Sequence, residues 1–433
     1  MDLGVPFGPQ LRRRRVAAGL SLAEFARQTH YSKGYLSKIE TGARSPNAAV
    51  ARRCDAALDA GGTLMALVPA PDRADSRPLP SAAPDQEEVW ALSMGTDGSV
   101  WLQPRDRREA LTVGAASLLA FGFDSAQFPS RVQPDAVLGT WSEMFGQLRA
   151  LGQRASPHIV LPTLMASTHT LQQVAANASG ELRSNCYVLA SRYAEYAGWM
   201  AQETGQDNAA LWWTDKAVGL ASAGGDQELA AYALVRRALV SLYAGDARQT
   251  IDLARRAQHD QRAGHRVRGL AAQREAQGHA LAGAYSECHR ALERADVLLD
   301  RAAGGSGPVL GSSTVTNPVS LSTAWCLYDL GRPAQAAELL DRQLEVVDPS
   351  ACRFRARWGA RRALAYAACG EIDHACALSH ELLADLADVD SATVRSDVHA
   401  LGRILATRLS HPPVRRLVPE LTAILHRPSA RSH

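Results

Sequence analysis

The sequence of 433 residues lacks the features of a membrane or secreted protein. It contains no run of 18 or more apolar residues, so we expect no membrane-spanning helix. Its N-terminus, MDLGVPFGPQLRRRR, lacks the apolar stretch that is typical of a secretory signal. The seven cysteines form no CxxC pair, and an odd, scattered set favours reduced thiols. Together these absences predict a cytoplasmic protein with no membrane partner.

Catalytic motifs are also absent. The 13 histidines form no HExxH motif, and the sequence has neither a P-loop nor a GxSxG motif. The glycine-rich residues 304–311 follow a predicted helix rather than a strand, which argues against a Rossmann dinucleotide-binding turn. His374 and His380 are six residues apart on a predicted helix, so their side chains lie on different faces. We therefore expect no enzyme activity, no cofactor and no metal site.

Lysine is scarce, since only Lys33, Lys38 and Lys216 occur among the 47 basic residues. The charges are also unevenly distributed. Residues 1–58 carry ten basic and four acidic side chains, a local charge of +6, whereas the whole chain carries only +3. The remainder of the chain therefore carries −3. A basic N-terminal segment ahead of a mildly acidic remainder indicates two parts with different partners.

Capping residues and glycines predict five short helices between residues 7 and 67. A Ser-x-x-Glu capping box at 21–24 begins the second helix, Ser32 caps the third, and Asn47 caps the fourth. Residues 63–68 are predicted to form a short fifth helix. The second and third helices have about eight residues each and are joined by a short turn, which is the arrangement of a helix-turn-helix unit.

Residues 11–46, LRRRRVAAGLSLAEFARQTHYSKGYLSKIETGARSP, resemble the phage-repressor-type (Xre/Cro-like) DNA-binding domain. The residues that carry the resemblance are Leu11, Arg15, Gly19, Leu20, Ser21, Ala23, Glu24, Ala26, Ser32, Leu36, Ser37, Ile39, Glu40, Gly42 and Pro46. The resemblance implies that double-stranded operator DNA is a partner. It also implies a salt bridge between Arg15 and Glu40 that joins the first and third helices.

The third helix is the predicted recognition helix, whose N-terminal residues face base edges in the major groove. The residues that we predict to contact bases are Lys33, Tyr35, Ser37 and Lys38. Lysine can donate to O6 and N7 of guanine, and serine can pair with either kind of base edge. Other residues are better placed for phosphates, which fix register without reading sequence. These predicted phosphate contacts are Arg12, Ser21, Ser32 and Arg44.

A linker and a bridging segment follow. Residues 69–86 contain five prolines, which predict an extended, semi-rigid linker of roughly 3 Å per residue that lets the N-terminal domain move. In the bridging segment, residues 87–130, two apolar runs flank Gly95-Thr96-Asp97-Gly98 and predict a small β-hairpin followed by a helix. Residues 131–433 show helical patterns throughout.

The C-terminal part contains a repeat with a period near forty residues. A glycine recurs between predicted helices at Gly205, Gly245, Gly283, Gly331 and Gly370. A small residue follows each glycine by five positions, at Ala210, Thr250, Cys288, Ala336 and Ala375, and another precedes it by seven, at Gly198, Ala238, Ala276, Ala324 and Ala363. Small residues at these offsets allow two antiparallel helices to cross closely. The pattern resembles tetratricopeptide (TPR) repeats and favours a TPR-like solenoid over a generic helical bundle.

Solenoids of this kind bind ligands on their concave side. Counting from the turn glycines places a candidate effector groove at Arg192, Glu195, Trp199, Gln202, Tyr232, Tyr243, Gln273, Gln277, Trp325, Tyr328 and Arg357. Aromatic side chains mixed with amides and charges suit a peptide or a polar small molecule. Each aromatic residue could equally belong to the core between helices, and the sequence leaves this choice open.

The domain order predicts an all-α transcriptional regulator. It comprises a DNA-binding domain at 1–68, the linker at 69–86, the bridging segment at 87–130 and a repeat domain at 131–433 that dimerises, senses an effector, or both. This order resembles the peptide-sensing quorum regulators of the RRNPP group and TPR-containing regulators of actinobacteria. We expect a homodimer whose operator binding responds to a peptide or small molecule. The alternative is an adaptor whose repeats bind a protein partner, such as a sigma factor, without a small effector.

Overall fold

The computed structural model describes residues 6–29, 31–46, 48–68, 89–94, 100–105, 134–303, 318–348 and 350–425. Within these ranges the chain forms eighteen α-helices and one two-stranded hairpin. The all-α class predicted from the sequence is therefore confirmed. None of the helices in the described ranges is both long and apolar enough to cross a membrane.

The four N-terminal helices surround a small apolar core. They are α1 (Phe7–Ala17), α2 (Leu22–Thr29), α3 (Lys33–Glu40) and α4 (Ala48–Ala57), and a single 3-10 turn follows at Met65–Leu67. The side chains at the centre of this core are almost completely buried and include Leu11, Phe25, Leu36, Ile39, Cys54 and Leu64. The first four helices lie where the capping residues predict them, whereas the predicted fifth helix is only a 3-10 turn.

Side-chain caps determine where α2 and α3 begin. The Ser21 N–H donates to the Glu24 carboxylate (2.8 Å), and the Glu24 N–H donates to the Ser21 hydroxyl (3.2 Å). The Tyr35 N–H donates to the Ser32 hydroxyl (3.2 Å). These bonds satisfy amides that have no partner inside the helix. The start of both helices is therefore stabilised by residues that are neighbours in the sequence.

The predicted hairpin is present. Strand β1 (Val89–Met94) pairs with β2 (Val100–Arg105) in antiparallel register, with Val89 opposite Arg105 and Met94 opposite Val100. The predicted linker at 69–86, the hairpin turn at 95–99 and the bridging residues 106–130 lie outside the described residues.

All the other described helices belong to the C-terminal part. They are α5 (Pro134–Gly152), α6 (Pro157–Asn177), α7 (Gly180–Glu203), α8 (Asp207–Ala223), α9 (Glu228–Tyr243), α10 (Ala247–His259), α11 (His265–Leu281), α12 (Tyr285–Ala302), α13 (Pro318–Asp329), α14 (Pro333–Leu344), α15 (Cys352–Cys369), α16 (Ile372–Val389), α17 (Ala392–Leu405) and α18 (Pro412–Leu425).

The recurring glycines form the turns between successive helices from α7 to α16. All five have a positive φ, between 78° and 93°, which is a left-handed conformation that favours glycine. At each turn the residue after the glycine donates its N–H to a carbonyl five residues earlier, as Ala284 does to His279. This is the hydrogen bond of a Schellman motif, which ends a helix. The repeat therefore consists of helix pairs joined by one type of tight turn.

The small residues predicted at the helix crossings are buried. The five residues that follow the glycines by five positions are each at most 1% exposed. A Cβ placed on Gly198 of α7 would lie 3.2 Å from the Ala210 carbonyl oxygen of α8. A larger side chain there would push the two helices apart. The C-terminal part is therefore a repeat-like helical array in which small residues permit close helix packing.

The chain divides into two compact units. The first contains α1–α4 together with residues 230–427, except for residues 389–391. The second contains the hairpin, α5–α8 and the first two residues of α9, with residues 389–391. In the second unit the Tyr193 hydroxyl donates to the Trp141 carbonyl (2.7 Å), which attaches α7 to α5.

Candidate nucleic-acid interface

A buried ion pair positions the predicted recognition helix α3. Arg15 of α1 forms two bonds with Glu40 at the end of α3, from Nε to Oε1 (2.6 Å) and from Nη2 to Oε2 (2.9 Å). The third arm of the guanidinium, Nη1, donates to the Leu20 carbonyl (2.7 Å). Hydrogen bonding to Glu40 raises the pKa of Arg15. The pair implied by the family resemblance is thus present, and it connects α1, α3 and the turn before α2.

Gly8 brings α1 close to the end of the same helix. A Cβ placed on Gly8 would overlap the Ile39 carbonyl oxygen and lie 2.8 Å from that of Glu40. Only glycine allows this backbone approach. The role of Gly8 has no signal in the sequence, because a glycine inside a helix does not show which neighbour it contacts.

Most of the predicted DNA-contacting residues are accessible to solvent. Lys33 and Lys38 on α3 are exposed, and Ser37 is half-buried. The predicted phosphate contacts Arg12, Ser21, Ser32 and Arg44 are all exposed as well. Four of these residues, Lys33, Lys38, Arg12 and Arg44, are positively charged, which suits the negatively charged DNA backbone.

Tyr35, predicted to contact a base, is half-buried. Its ring stacks on Tyr31 with the centroids 5.3 Å apart, and the Arg44 guanidinium carbon lies 4.8 Å from the Tyr35 centroid. The Arg53 guanidinium lies 5.4 Å from the Tyr31 ring. The two rings and their arginines therefore restrict the position of Tyr35 and Arg44 before any DNA is bound.

The predicted phosphate contact at Ser21 has less freedom than its exposure suggests. Its backbone N–H is occupied by the Glu24 carboxylate. Hydrogen bonds from Ser21 lower the pKa of Glu24, so this side chain is negatively charged at neutral pH. The hydroxyl of Ser21 is also hydrogen-bonded to Glu24, and the nearby carboxylate opposes a contact between Ser21 and a phosphate.

The N-terminal domain matches a known family. Residues 6–68 match the family described as a helix-turn-helix domain. This part of the chain is a helix-turn-helix domain. No curated protein matches the chain. Because such domains place a recognition helix in the major groove, the match indicates a DNA-binding regulator.

The helix-turn-helix domain packs against two turns of the repeats within the same compact unit. A Cβ placed on Gly331 would lie 2.9 Å from the Arg52 carbonyl oxygen and 3.1 Å from the Ala56 Cβ of α4. A Cβ placed on Gly283 would lie 3.1 Å from the Met65 Cγ. Both glycines therefore serve two purposes, since each forms a left-handed turn and also allows the domain to approach.

Polar contacts accompany this packing. Arg52 donates from Nη1 to the Leu281 carbonyl at the end of α11 (3.5 Å). Arg332 lies 3.7 Å from the exposed carboxylate of Asp59, a pair that contributes little because water screens it. This interface could not be predicted from the sequence, because the glycine spacing predicts turns but does not predict what packs against them.

Asp55 holds the part of the domain that reaches Gly283. One carboxylate oxygen accepts the Gly62 N–H (2.6 Å), and the other accepts the N–H groups of Leu64 (2.7 Å) and Met65 (3.1 Å). Asp55 is buried, and charge-assisted hydrogen bonds are stronger away from water. Asp55 was not among the sequence-predicted residues.

Four of the predicted groove residues lie on α7 in the second unit. Arg192 forms an ion pair with Asp226 (2.6 Å), and the Trp199 ring lies 5.3 Å from Tyr196. Glu195 is half-buried and Gln202 is buried.

The other seven predicted groove residues lie in the first unit, on α9, α11, α13 and α15. Tyr232, Gln273 and Gln277 are buried, and burial raises the pKa of the half-buried Tyr328 to about 12. These four therefore contribute at least partly to the core, which was the alternative left open for the aromatic groove residues.

The remaining three predicted groove residues, Tyr243, Trp325 and Arg357, contact one another. Arg357 donates from Nη2 to the Tyr243 hydroxyl (2.6 Å), and its guanidinium carbon lies 5.6 Å from the ring centroids of both Tyr243 and Trp325. The Tyr243 and Trp325 rings meet edge to face at 5.5 Å. Trp358, which the sequence analysis did not select, lies 6.2 Å from Trp325. Trp325, Tyr243 and Trp358 belong to one hydrophobic cluster with Leu239 and Leu242, so these aromatic rings contribute to the core between helices.

Proposed function

We propose that the protein is a cytoplasmic transcriptional regulator, and not an enzyme, that binds a specific operator as a homodimer. The observation that carries the proposal is the exposed, basic surface of α3 in a domain whose family match is helix-turn-helix. Lys33 and Lys38 lie on that helix and are available for base edges. We propose a dimer because helix-turn-helix regulators bind paired operator half-sites that are about 34 Å apart.

We further propose that the helix-turn-helix domain belongs to the Xre-like type and that the C-terminal repeats are TPR-like. The bidentate Arg15–Glu40 pair supports the first assignment, and the five left-handed turn glycines support the second. These features are consistent with the resemblance to peptide-sensing regulators, in which repeats receive an effector.

An effector is proposed to act through the contact between the repeats and the helix-turn-helix domain. Gly283 follows α11 and Gly331 follows α13, and both turns touch the domain. Tyr243, Trp325 and Arg357 lie on α9, α13 and α15, next to or on the helices that end at these turns. A ligand that changes how these helices pack would change the surface on which the domain rests.

The test is operator binding by lysine variants of the full chain. An operator is first selected from random duplexes, and its affinity is then measured for Lys33→Ala, Lys38→Ala and the double variant. We expect each substitution to cost about 1–3 kcal/mol for the selected site. The effect on unrelated DNA should be much smaller, because base contacts and not only charge are lost.

Lys216→Ala is the matched control, since it removes the only other lysine of the chain. Its affinity for the operator should equal that of the wild type. Unchanged operator affinity in the double variant would refute α3 as the recognition helix.

A further inference from the structure

Four side chains of the helix-turn-helix domain lie one against the next, and we name them the Arg–Tyr ladder, namely Arg53, Tyr31, Tyr35 and Arg44. Tyr31 and Tyr35 stack with their ring centroids 5.3 Å apart and an angle of 29° between the ring planes. The Arg53 guanidinium carbon lies 5.4 Å from the Tyr31 centroid, and that of Arg44 lies 4.8 Å from the Tyr35 centroid. Each arginine is therefore attracted by the negative face of a ring.

The ladder joins separate segments of the domain. Tyr31 follows α2, and its N–H donates to the Ala26 carbonyl of that helix (3.1 Å). Tyr35 lies on α3 and Arg53 on α4, whereas Arg44 lies in the loop after α3, where its N–H donates to a carbonyl of that helix (3.0 Å). Both rings pack against the apolar core of the domain. The fold itself, without DNA, therefore determines where the rings lie.

The two arginines of the ladder keep their hydrogen-bond donors available. Neither Arg44 nor Arg53 forms a side-chain hydrogen bond or an ion pair with any residue that the structure describes. A guanidinium that stacks on a ring interacts through its face, so the N–H groups at its edge remain free. Arg44 is exposed and is one of the predicted phosphate contacts. It can therefore donate to a DNA phosphate without leaving the Tyr35 ring.

The other end of the ladder lies against the repeats. A Cβ placed on Gly331 would lie 3.1 Å from the Cα of Arg53, so the backbone of Arg53 is packed against this turn. A displacement of the turn would move α4, and with it the cation that faces Tyr31. The ladder is therefore a physical connection between the repeats and Arg44.

We propose that Tyr31 and Arg53 are positioning residues, which hold Arg44 in place for an operator phosphate and connect it to the Gly331 turn. A side chain that is already held in its bound position loses less conformational freedom on binding, so the affinity is higher. This inference rests on the proposed function, because it requires that the domain binds an operator. It adds the side chains through which a change in the repeats reaches the DNA-binding surface.

The experiment measures the affinity of full-chain variants for the selected operator over a range of salt concentrations. Tyr31→Leu removes the ring but keeps an apolar side chain against the core. We expect it to weaken operator binding by about threefold to tenfold, because the contacts between rings and cations are lost. The slope of log affinity against log salt should also become shallower by about one for each bound domain, since a phosphate contact is lost.

Two control variants separate positioning from folding stability. Tyr31→Phe keeps the ring and should restore the affinity and the slope of the wild type. Tyr187→Leu removes a ring of α7 that lies 5.8 Å from the Arg183 guanidinium carbon, and it should change neither quantity. Partial unfolding of the domain would lower the affinity by the same factor at every salt concentration, so a shallower slope identifies a lost phosphate contact.

Double variants identify the residue through which Tyr31 acts. Arg44→Gln removes the proposed phosphate contact, and Tyr31→Leu should cause no further loss of affinity in that background, whereas the effects of independent residues would multiply.

The same logic applies at the repeats. Gly331→Ala should weaken operator binding of the wild type by about twofold or more, and it should have no effect in the Arg53→Gln background. Gly245→Ala is the control, because a Cβ there meets nothing within 4 Å, and it should leave the affinity unchanged.

An unchanged salt slope in Y31L would overturn the proposal, as would equal losses of affinity in Y31L and Y31F. Losses that multiply in either double variant would overturn it too. The lysine variants of α3 distinguish this result from a failure of the proposed function. If the lysine double variant loses operator binding while Y31L keeps it, this inference alone is wrong, whereas unchanged binding by the lysine double variant refutes the proposed function.

Discussion

At the scale of single residues, the helix-turn-helix domain depends on charges that are buried and fully paired. Arg15 uses three nitrogen atoms for Glu40 and the Leu20 carbonyl. Asp55 uses both oxygens for three backbone amides. A buried charge that loses its partner is costly, because the remaining charge cannot regain water. These two residues therefore have a larger effect on stability than the exposed arginines near them.

Replacement of Arg15 by alanine should destabilise the domain by about 3–5 kcal/mol, since it leaves Glu40 buried and unpaired. Hydrogen exchange of the full chain is the measurement. Amides within 6–68 should exchange faster, whereas those of α15–α18 should be affected much less.

Arg13→Ala provides the matched comparison, because Arg13 is an exposed residue of the same helix. Its substitution should change stability by no more than about 0.5 kcal/mol. Similar exchange in the two variants would show that the ion pair does not stabilise the domain.

At the scale of elements, one carboxylate joins three successive repeat helices. Glu275 of α11 accepts bonds from Arg255 (2.9 Å) and Gln258 (2.8 Å) of α10 and from Arg294 (2.6 Å) of α12. Burial alone would raise the pKa of Glu275. The bonds from His279, Gln258 and Arg255, with the charge of Arg294, outweigh burial and hold that pKa below its usual 4.5.

This shift predicts how stability depends on pH. A carboxyl group whose pKa is lower in the folded state stabilises the fold above its unfolded pKa, near 4.5. The contribution is lost as pH falls from there through the folded pKa. Urea unfolding between pH 7 and pH 3 should therefore show a declining stability, part of which belongs to Glu275.

Glu275→Gln isolates that part. It should lower stability at pH 7 by about 1.5–3 kcal/mol, the range for hydrogen bonds to charged groups. The difference from wild type should shrink as pH falls below 4.5. A difference that stays constant from pH 7 to pH 3 would contradict the assignment.

At the scale of the whole molecule, the helix-turn-helix domain and the later repeats form one compact unit. The linker composition predicts a domain that can move. In the structure, α4 and the 3-10 turn instead rest on the turns at Gly331 and Gly283. At Gly331 the contact leaves no room for a side chain, because a Cβ would lie 2.9 Å from the Arg52 carbonyl oxygen. This glycine therefore both ends a helix and allows the domain to approach.

Gly331→Ala tests this contact, and Gly245→Ala is its control. Both glycines have φ near 80°, so alanine should cost about 1–2 kcal/mol at either turn. Only at Gly331 would the new Cβ meet the Arg52 carbonyl, whereas nothing lies within 4 Å at Gly245. We expect G331A alone to increase hydrogen exchange in α4. Equal exchange in both variants would refute the contact.

The sequence was sufficient for features that depend on neighbours along the chain. The capping box, the Ser32 cap, the turn glycines and the small residues around them all follow from local rules of helix termination and packing. The family resemblance added Arg15 and Glu40. Hence the all-α fold, the starts of α2, α3 and α4 and the repeat period could be predicted from the sequence.

Contacts between distant segments were decided by the tertiary structure. Gly8, Glu275 and the domain-facing role of Gly331 have no local signal, because their partners come from other helices. The amides that Asp55 binds lie seven to ten residues further along, beyond the reach of helix-capping rules. The groove prediction selected Tyr243, Trp325 and Arg357, which do meet, but omitted Arg361, whose guanidinium carbon lies 3.2 Å from the Trp325 ring centroid. Periodicity shows which face of a helix is inward, whereas only packing shows which inward side chains meet.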